Sequence, residues 1–260
     1  MQVSLLKLIP MNQRKSISLL FCSAMMFFLI SCGGGGSEEK STTDTTATTT
    51  DTTATTATTP SQTNTTTTTP QDMLVVMHKV KDFAKWKASY DSNDSLKTAG
   101  GVRNYVVGRG AQDTSMVLVA TKVDDMQKAK AFATSAALKK AMQQSGVVGA
   151  PTIKFTTMVF MDTGNISTDL RVRTNITVKD WDKWQKAFDS TRALNEDNGL
   201  KVRAYGHETA DNHKVTIVSA VTDTAKARAF LSSDMLKKRR MTSGVVGEPQ
   251  RFYYHVVQRY

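Results

Sequence analysis

Val80-Lys81-Asp82-Phe83-Ala84-Lys85-Trp86 returns as Val178-Lys179-Asp180-Trp181-Asp182-Lys183-Trp184, 98 residues further along the chain. The offset holds without a gap. Lys130-Ala131-Phe132 matches Arg228-Ala229-Phe230, and Ser145-Gly146-Val147-Val148-Gly149-Ala150-Pro151 matches Ser243-Gly244-Val245-Val246-Gly247-Glu248-Pro249. Over residues 80–151, about 28 of 72 positions are identical to their partners. This is an internal duplication, so one unit has to be explained and then used twice.

Working outward from Asp82, each copy reads alike. Met73–Val80 has strand character, and Asp82 is placed to cap a helix carrying Phe83, Trp86, Tyr90 and Leu96 at helical spacing. Val102–Arg109 and Met116–Val123 are two strands joined by a Gly/Asp-containing turn. Asp125 opens a second helix with Ala129, Phe132, Leu138 and Met142 on its apolar side; Gly146 ends it, and a last strand runs from Pro151 to Met161. The order is βαββαβ, a ferredoxin-like unit with helices on one face of an antiparallel sheet. The fold class is therefore α+β, with a first repeat over 72–163 and a second over 168–260.

The run Val-Lys-Asp-aromatic-x-x-Trp, the later Ala-x-x-Phe and Ser, and the terminal Gly-Val-Val-Gly-x-Pro resemble small proteins of the dimeric α/β-barrel superfamily. These are grouped with the antibiotic biosynthesis monooxygenases and loosely labelled cyclases. The resemblance covers both copies. It implies two sheets packed face to face around a shared interior, here as an intramolecular pseudo-dimer in a monomeric chain. The matching residues are framework: Trp86, Trp184, Phe132 and Phe230 read as core, and the Gly-Val-Val-Gly loops as helix caps, since no P-loop context surrounds them.

Upstream, Arg14 and Lys15 precede an apolar run from Ile17 to Ile30. About 14 residues are too few to span a bilayer and suit a signal peptide. Leu29-Ile30-Ser31-Cys32, followed by Gly33–Gly36, resembles a lipobox, which implies a leader over 1–31 and lipidation at Cys32. Several acyl chains would anchor the protein stably to a membrane. Ser37-Glu38-Glu39 resembles a surface-export signal of some bacterial lipoproteins. Residues 32–71 form a Thr-rich spacer that cannot bury a core and is expected to be disordered. At ~5–6 Å × √n it would hold the repeats about 35 Å from the lipid on average. The expected location is the bacterial cell envelope, as an outer-membrane lipoprotein.

The net charge is +11. Setting aside Lys7, Arg14, Lys15 and Lys40 leaves 30 of 34 basic residues beyond residue 71, and setting aside Glu38, Glu39, Asp44 and Asp51 leaves 19 of 23 acidic ones. That excess favours anionic partners, but no basic run is interleaved with stacking aromatics, so nucleic acid is not an expected partner. Both cysteines, Cys22 and Cys32, precede the repeats. The repeats therefore contain no disulfide, thiolate nucleophile or Cys-ligated metal.

Strand alternation supplies the candidate site. With Leu170, Val172 and Ile176 toward the helices, Arg171, Arg173 and Asn175 face the other way. The same reasoning groups Arg203, Tyr205 and His207 on one strand, and Tyr253 and His255 on another. Lining a barrel interior, these eight residues would hold a carboxylate or phosphate joined to an aromatic group. In the first copy Met73, Val75 and Met77 stand where the first-strand polar residues would be, so the two halves are expected to be unequal. His78 reads as a core histidine. No metal and no cofactor are expected, although a haem-degrading role, known in the superfamily, would need His207 or His255 as an iron ligand. The resulting expectation is a membrane-anchored lipoprotein binding a small anionic or aromatic molecule without turnover. The alternatives are a cofactor-independent monooxygenase or cyclase-like enzyme, and a non-catalytic interaction module with a filled interior.

Overall fold

The computed structural model describes residues 65–260. The expected leader, Cys32 and the Thr-rich stretch up to residue 64 lie outside the described residues. A two-residue strand β1 (Thr66–Thr67) precedes the first repeat, which comprises β2 (Gln71–Val80), α1 (Phe83–Ser92), α2 (Asp94–Ala99), β3 (Val102–Gly110), β4 (Met116–Val123), α3 (Met126–Ala133), α4 (Ala136–Gln144) and β5 (Val147–Asp162). The second repeat follows in the same order: β6 (Leu170–Val178), α5 (Trp181–Ser190), α6 (Ala193–Asp197), β7 (Leu200–Glu208), β8 (Asp211–Val221), α7 (Thr224–Ser232), α8 (Asp234–Thr242) and β9 (Val245–Arg259).

The repeated aspartates act as caps. Asp82 accepts from the backbone N–H of Lys85, Asp125 from Gln127 and Lys128, Asp180 from Lys183 and Asp223 from Lys226. Each satisfies a donor that the first helical turn leaves unpaired. The sequence pattern predicts two long helices per repeat, but each is broken. In the second pair, Ser135 and Ser233 cap new helices through the N–H groups of Leu138 and Leu236, because a serine hydroxyl competes with the continuing helical bond. Gly146 and Gly244, at φ of +84° and +82°, turn the chain into the last strand of each repeat. That strand begins at Val147 rather than Pro151, since Val147 and Val148 already pair with Val80 and Lys79.

The strands run in the order β5-β2-β4-β3-β9-β6-β8-β7, and β7 pairs back onto β5. Eight strands thus close into a barrel within one chain, with each repeat's last strand pairing with the β3 or β7 of the other. One seam runs from Val106↔Arg259 to Gly110↔Tyr254, the other from Thr156↔Glu208 to Met161↔Ala204. Closure removes the open edges that a lone four-stranded sheet would present. Thr66 and Thr67, which composition assigns to the spacer, are ordered as β1 against Asp162 and Met161, because that end of β5 overhangs β2 and offers free backbone groups.

Apolar cores lie on both sides of the strands. Outside, Leu74, Val76, Trp86, Val107 and Phe132 fill the helix layer of repeat one, and Val172, Trp184, Phe188, Val202 and Phe230 fill that of repeat two. Inside, Met73, Val75, Leu118, Met158, Met161 and Tyr254 form a further cluster.

Candidate functional site

The barrel interior is largely full of side chains, with a residual cavity of about 70 Å³. Arg171, Arg173 and Arg203 point into it as the alternation predicts. Arg171 donates to the carbonyls of Thr168 and Leu170, and burial brings its guanidinium down to about 10. Arg203 is paired with Asp162 at 3.0 Å and also donates to the carbonyl of Gly164. Arg173 and Asn175 stand together at one end of the barrel.

The other four predicted residues lie elsewhere. A bulge in β7 between Val202 and Ala204 shifts the alternation by one residue, so Arg203 and Ala204 both line the interior cavity. Tyr205 and His207 therefore turn to the helix layer. The Tyr205 ring stacks on Phe160 and its hydroxyl donates to Asp189; burial first, and then that carboxylate, push its ionisation up to about 12. His207 sits edge-on against Trp181, its Nδ1 2.9 Å from the Glu208 carbonyl oxygen. On β9 the inward residues are Phe252, Tyr254 and Val256, so Tyr253 packs under the helices of repeat two. His255 is exposed at the rim and paired at 3.0 Å with Asp169, a carboxylate from the inter-repeat linker. Neither His207 nor His255 lines the interior cavity.

The larger cavity is on the opposite side of the second sheet. Between β6, β7, β8 and the helices α5 and α8 opens a cleft of about 470 Å³. Val172, Ile176 and Ile217 form its floor, Trp184 and Phe188 an aromatic wall, and Arg239 and Arg240 its cationic edge. Arg239 gives one nitrogen to the Thr191 carbonyl at 3.3 Å, while the other terminal nitrogen is buried without a partner. Burial holds Arg240 down to about 10, with Arg251 adding repulsion. Ser190, Thr191, Asn195 and Ser219 add hydroxyl and amide groups.

The same place in repeat one leaves only about 80 Å³. Lys97, at the position of Asn195, folds inward: its Nζ lies 3.6 Å from the Tyr90 ring centroid, 2.7 Å from the Tyr90 carbonyl oxygen and 2.8 Å from Asp94. Tyr90 itself stacks on Trp86 and donates to Asn104. Ala141 and Met142 occupy the positions of Arg239 and Arg240. Strand alternation passes over this cleft because its charged edge comes from a helix. A signal was nevertheless present: Lys237-Lys238-Arg239-Arg240 aligns with Lys139-Lys140-Ala141-Met142, replacing two apolar residues by arginines.

His78, which matches Ile176 in the other repeat, is buried beside Trp86 with neither ring nitrogen hydrogen-bonded, and desolvation lowers its pKa to about 4. It is a core histidine, as the sequence suggests, and it has no hydrogen-bond partner.

No protein-family model and no curated protein matches the sequence. The structural neighbours are ferredoxin-fold proteins of the antibiotic biosynthesis monooxygenase kind. An anthrone oxidase-like protein is 12% identical at a TM-score of 0.48, over 72% of this chain and 92% of its own. A ferredoxin-fold protein related to antibiotic biosynthesis monooxygenases, from Listeria monocytogenes, is 12% identical at 0.40, over 74% and 97%. A heme-binding protein from Thermus thermophilus is 10% identical at 0.46, over 75% and 94%. At these scores the likeness bears on no residue of the site.

Proposed function

We propose that this chain is an envelope lipoprotein that binds a small molecule with an apolar or aromatic body and an acidic head in the cleft of its second repeat. The observation that carries the reading is the opening of that cleft to about 470 Å³ beside Arg239 and Arg240, where the twin in repeat one is closed to about 80 Å³. A volume of this size is in the range of small-molecule sites, which combine an apolar lining with a few placed polar groups. Arg239 and Arg240 would take the acid, Trp184 and Phe188 the apolar body. Among the described residues lining the cleft there is no carboxylate, imidazole or thiol, and its charged groups are the cations Lys238, Arg239 and Arg240, a set suited to holding an acid. Lipidation at Cys32 and anchoring to the envelope membrane belong to the same proposal and rest on the sequence signal alone.

The test is titration of the full chain with 2-naphthoate and octanoate, followed by tryptophan fluorescence and melting temperature. Saturable binding lost in Arg239→Ala/Arg240→Ala supports the reading. Absence of binding to either acid, or equal binding by the double variant, rejects it. Incubating the bound acid with the protein and recovering it altered would replace binding by turnover, the enzyme reading.

A further inference from the structure

At the end of the barrel around Arg173, a second cavity of about 460 Å³ is lined by residues of both repeats. Arg173 is 6% exposed, and among the described residues no carboxylate lies within ion-pair distance of it. Its terminal nitrogens reach the Met77 sulfur at 3.8 Å and the Thr216 hydroxyl at 3.3 Å, and its Nε is buried with no partner. The carboxylate that acts on it from the same cavity, Glu208, is engaged by Lys154 at 2.9 Å. Thr216 passes the network on, donating to the Asn175 side-chain oxygen at 2.9 Å.

The duplication shows that this polar trio is not required by the fold. Val75, Leu118 and Met77 hold the positions of Arg173, Thr216 and Asn175 in repeat one, and all three sit in the apolar interior cluster. A well-packed apolar set in one half and a buried, under-neutralised guanidinium in the other is the pattern of a charge kept for a purpose other than stability. Lys214 and Arg251 add positive charge around the same cavity, against Glu248.

We infer that this end of the barrel is a binding site for a small oxyanion, a carboxylate or a phosphate, anchored on Arg173 with Thr216 and Asn175 beside it. The anion supplies the missing counter-charge, and the planar guanidinium accepts either class in a forked geometry. Ile176 borders both this site and the helix–sheet cleft, but the two have no polar or charged lining residue in common.

The experiment is thermal unfolding of the full chain in a chloride buffer of fixed ionic strength, with inorganic phosphate in one arm and succinate in the other. The expected result is a rise of several degrees in Tm with one or both anions, by mass action on the native state; the responding arm names the class. Arg173→Met should abolish the rise. Asn175→Asp, which places a carboxylate next to the guanidinium, should raise Tm without added anion and weaken the anion response at least tenfold, and it decides the matter if Arg173→Met fails to fold. No rise in either arm, or a rise undiminished in these variants, overturns the inference. Naphthoate binding at Arg239 and Arg240 is read separately, so the two sites can fail independently.

Discussion

Asp162, the last residue of β5 in the first repeat, accepts from Arg203 of β7 in the second across 3.0 Å, with both side chains at most 10% exposed. The pair sits at one of the two seams that close the barrel. At the other seam the matching positions are Tyr260 and Tyr105, joined only through the backbone, Tyr260 N–H to Tyr105 carbonyl at 3.1 Å. One closure is therefore ionic and the other is not.

Removing Asp162 leaves the Arg203 guanidinium buried without its carboxylate, whereas Asp162 without Arg203 keeps Lys201 at 3.9 Å. Asp162→Asn should cost about 3–5 kcal/mol. Asp162→Asn combined with Arg203→Met should cost less than the two changes added, because no orphan charge remains. Urea unfolding of the four proteins measures the coupling, and strict additivity would show that the pair does not act as a unit.

Gly206 in the same seam is held by sterics. A Cβ there would run into the backbone of Thr157 and Met158, which cannot swing aside as a side chain could. Gly206→Ala should lose about 2–4 kcal/mol and should raise hydrogen exchange along β5 and β7 before the rest of the barrel. Uniform loss of protection would argue that the seam is not the weak point.

His78 makes stability pH-dependent. Its pKa falls from 6.5 unfolded to about 4 folded through desolvation. The unfolded chain thus binds the extra proton first, and stability declines as pH drops from about 6.5 to about 4. The loss is about 3 kcal/mol at most. His78→Ile, copying Ile176 of the other repeat, should remove this part of the acid slope. A variant with the same pH profile as the parent would sink the assignment.

The closed cleft of repeat one can be transplanted. Asn195→Lys with Arg192→Asp, Phe188→Tyr and Arg240→Met rebuilds in the second repeat the arrangement of Lys97, Asp94, Tyr90 and Met142. Naphthoate binding should fall at least tenfold, while the melting temperature stays within the shift expected for about 1 kcal/mol, since the twin already tolerates these residues. Retained affinity would move the ligand elsewhere.

Ending the chain at Asp162 leaves β3 and β5 each with one open edge, where β9 and β7 had paired. That half should dimerise or aggregate by sedimentation analysis. A stable monomer would show that the seams are dispensable.

Much of this protein could be read from the chain. The 98-residue duplication, the capping aspartates, the order βαββαβ and the inward placement of Arg171, Arg173 and Arg203 all follow from local patterns, because identity, cap chemistry and strand alternation act over a few residues at a time. Tyr205, His207, Tyr253 and His255 escaped that reasoning. Alternation distinguishes two faces only when one is apolar and the other is not, and barrel strands packed on both sides lose the contrast. One bulged residue in β7 then reverses the parity for the rest of the strand.

The sequence by itself determined the repeated unit, its helix starts and the polar character of the second copy. Which copy is open was decided in three dimensions. Lys97 and Asn195 differ by one long side chain, yet the space it fills lies between a helix layer and a sheet far apart along the chain, and cavities are set by what packs across that gap. The same is true of Arg173, whose missing counter-charge became visible only once the strands around it had closed.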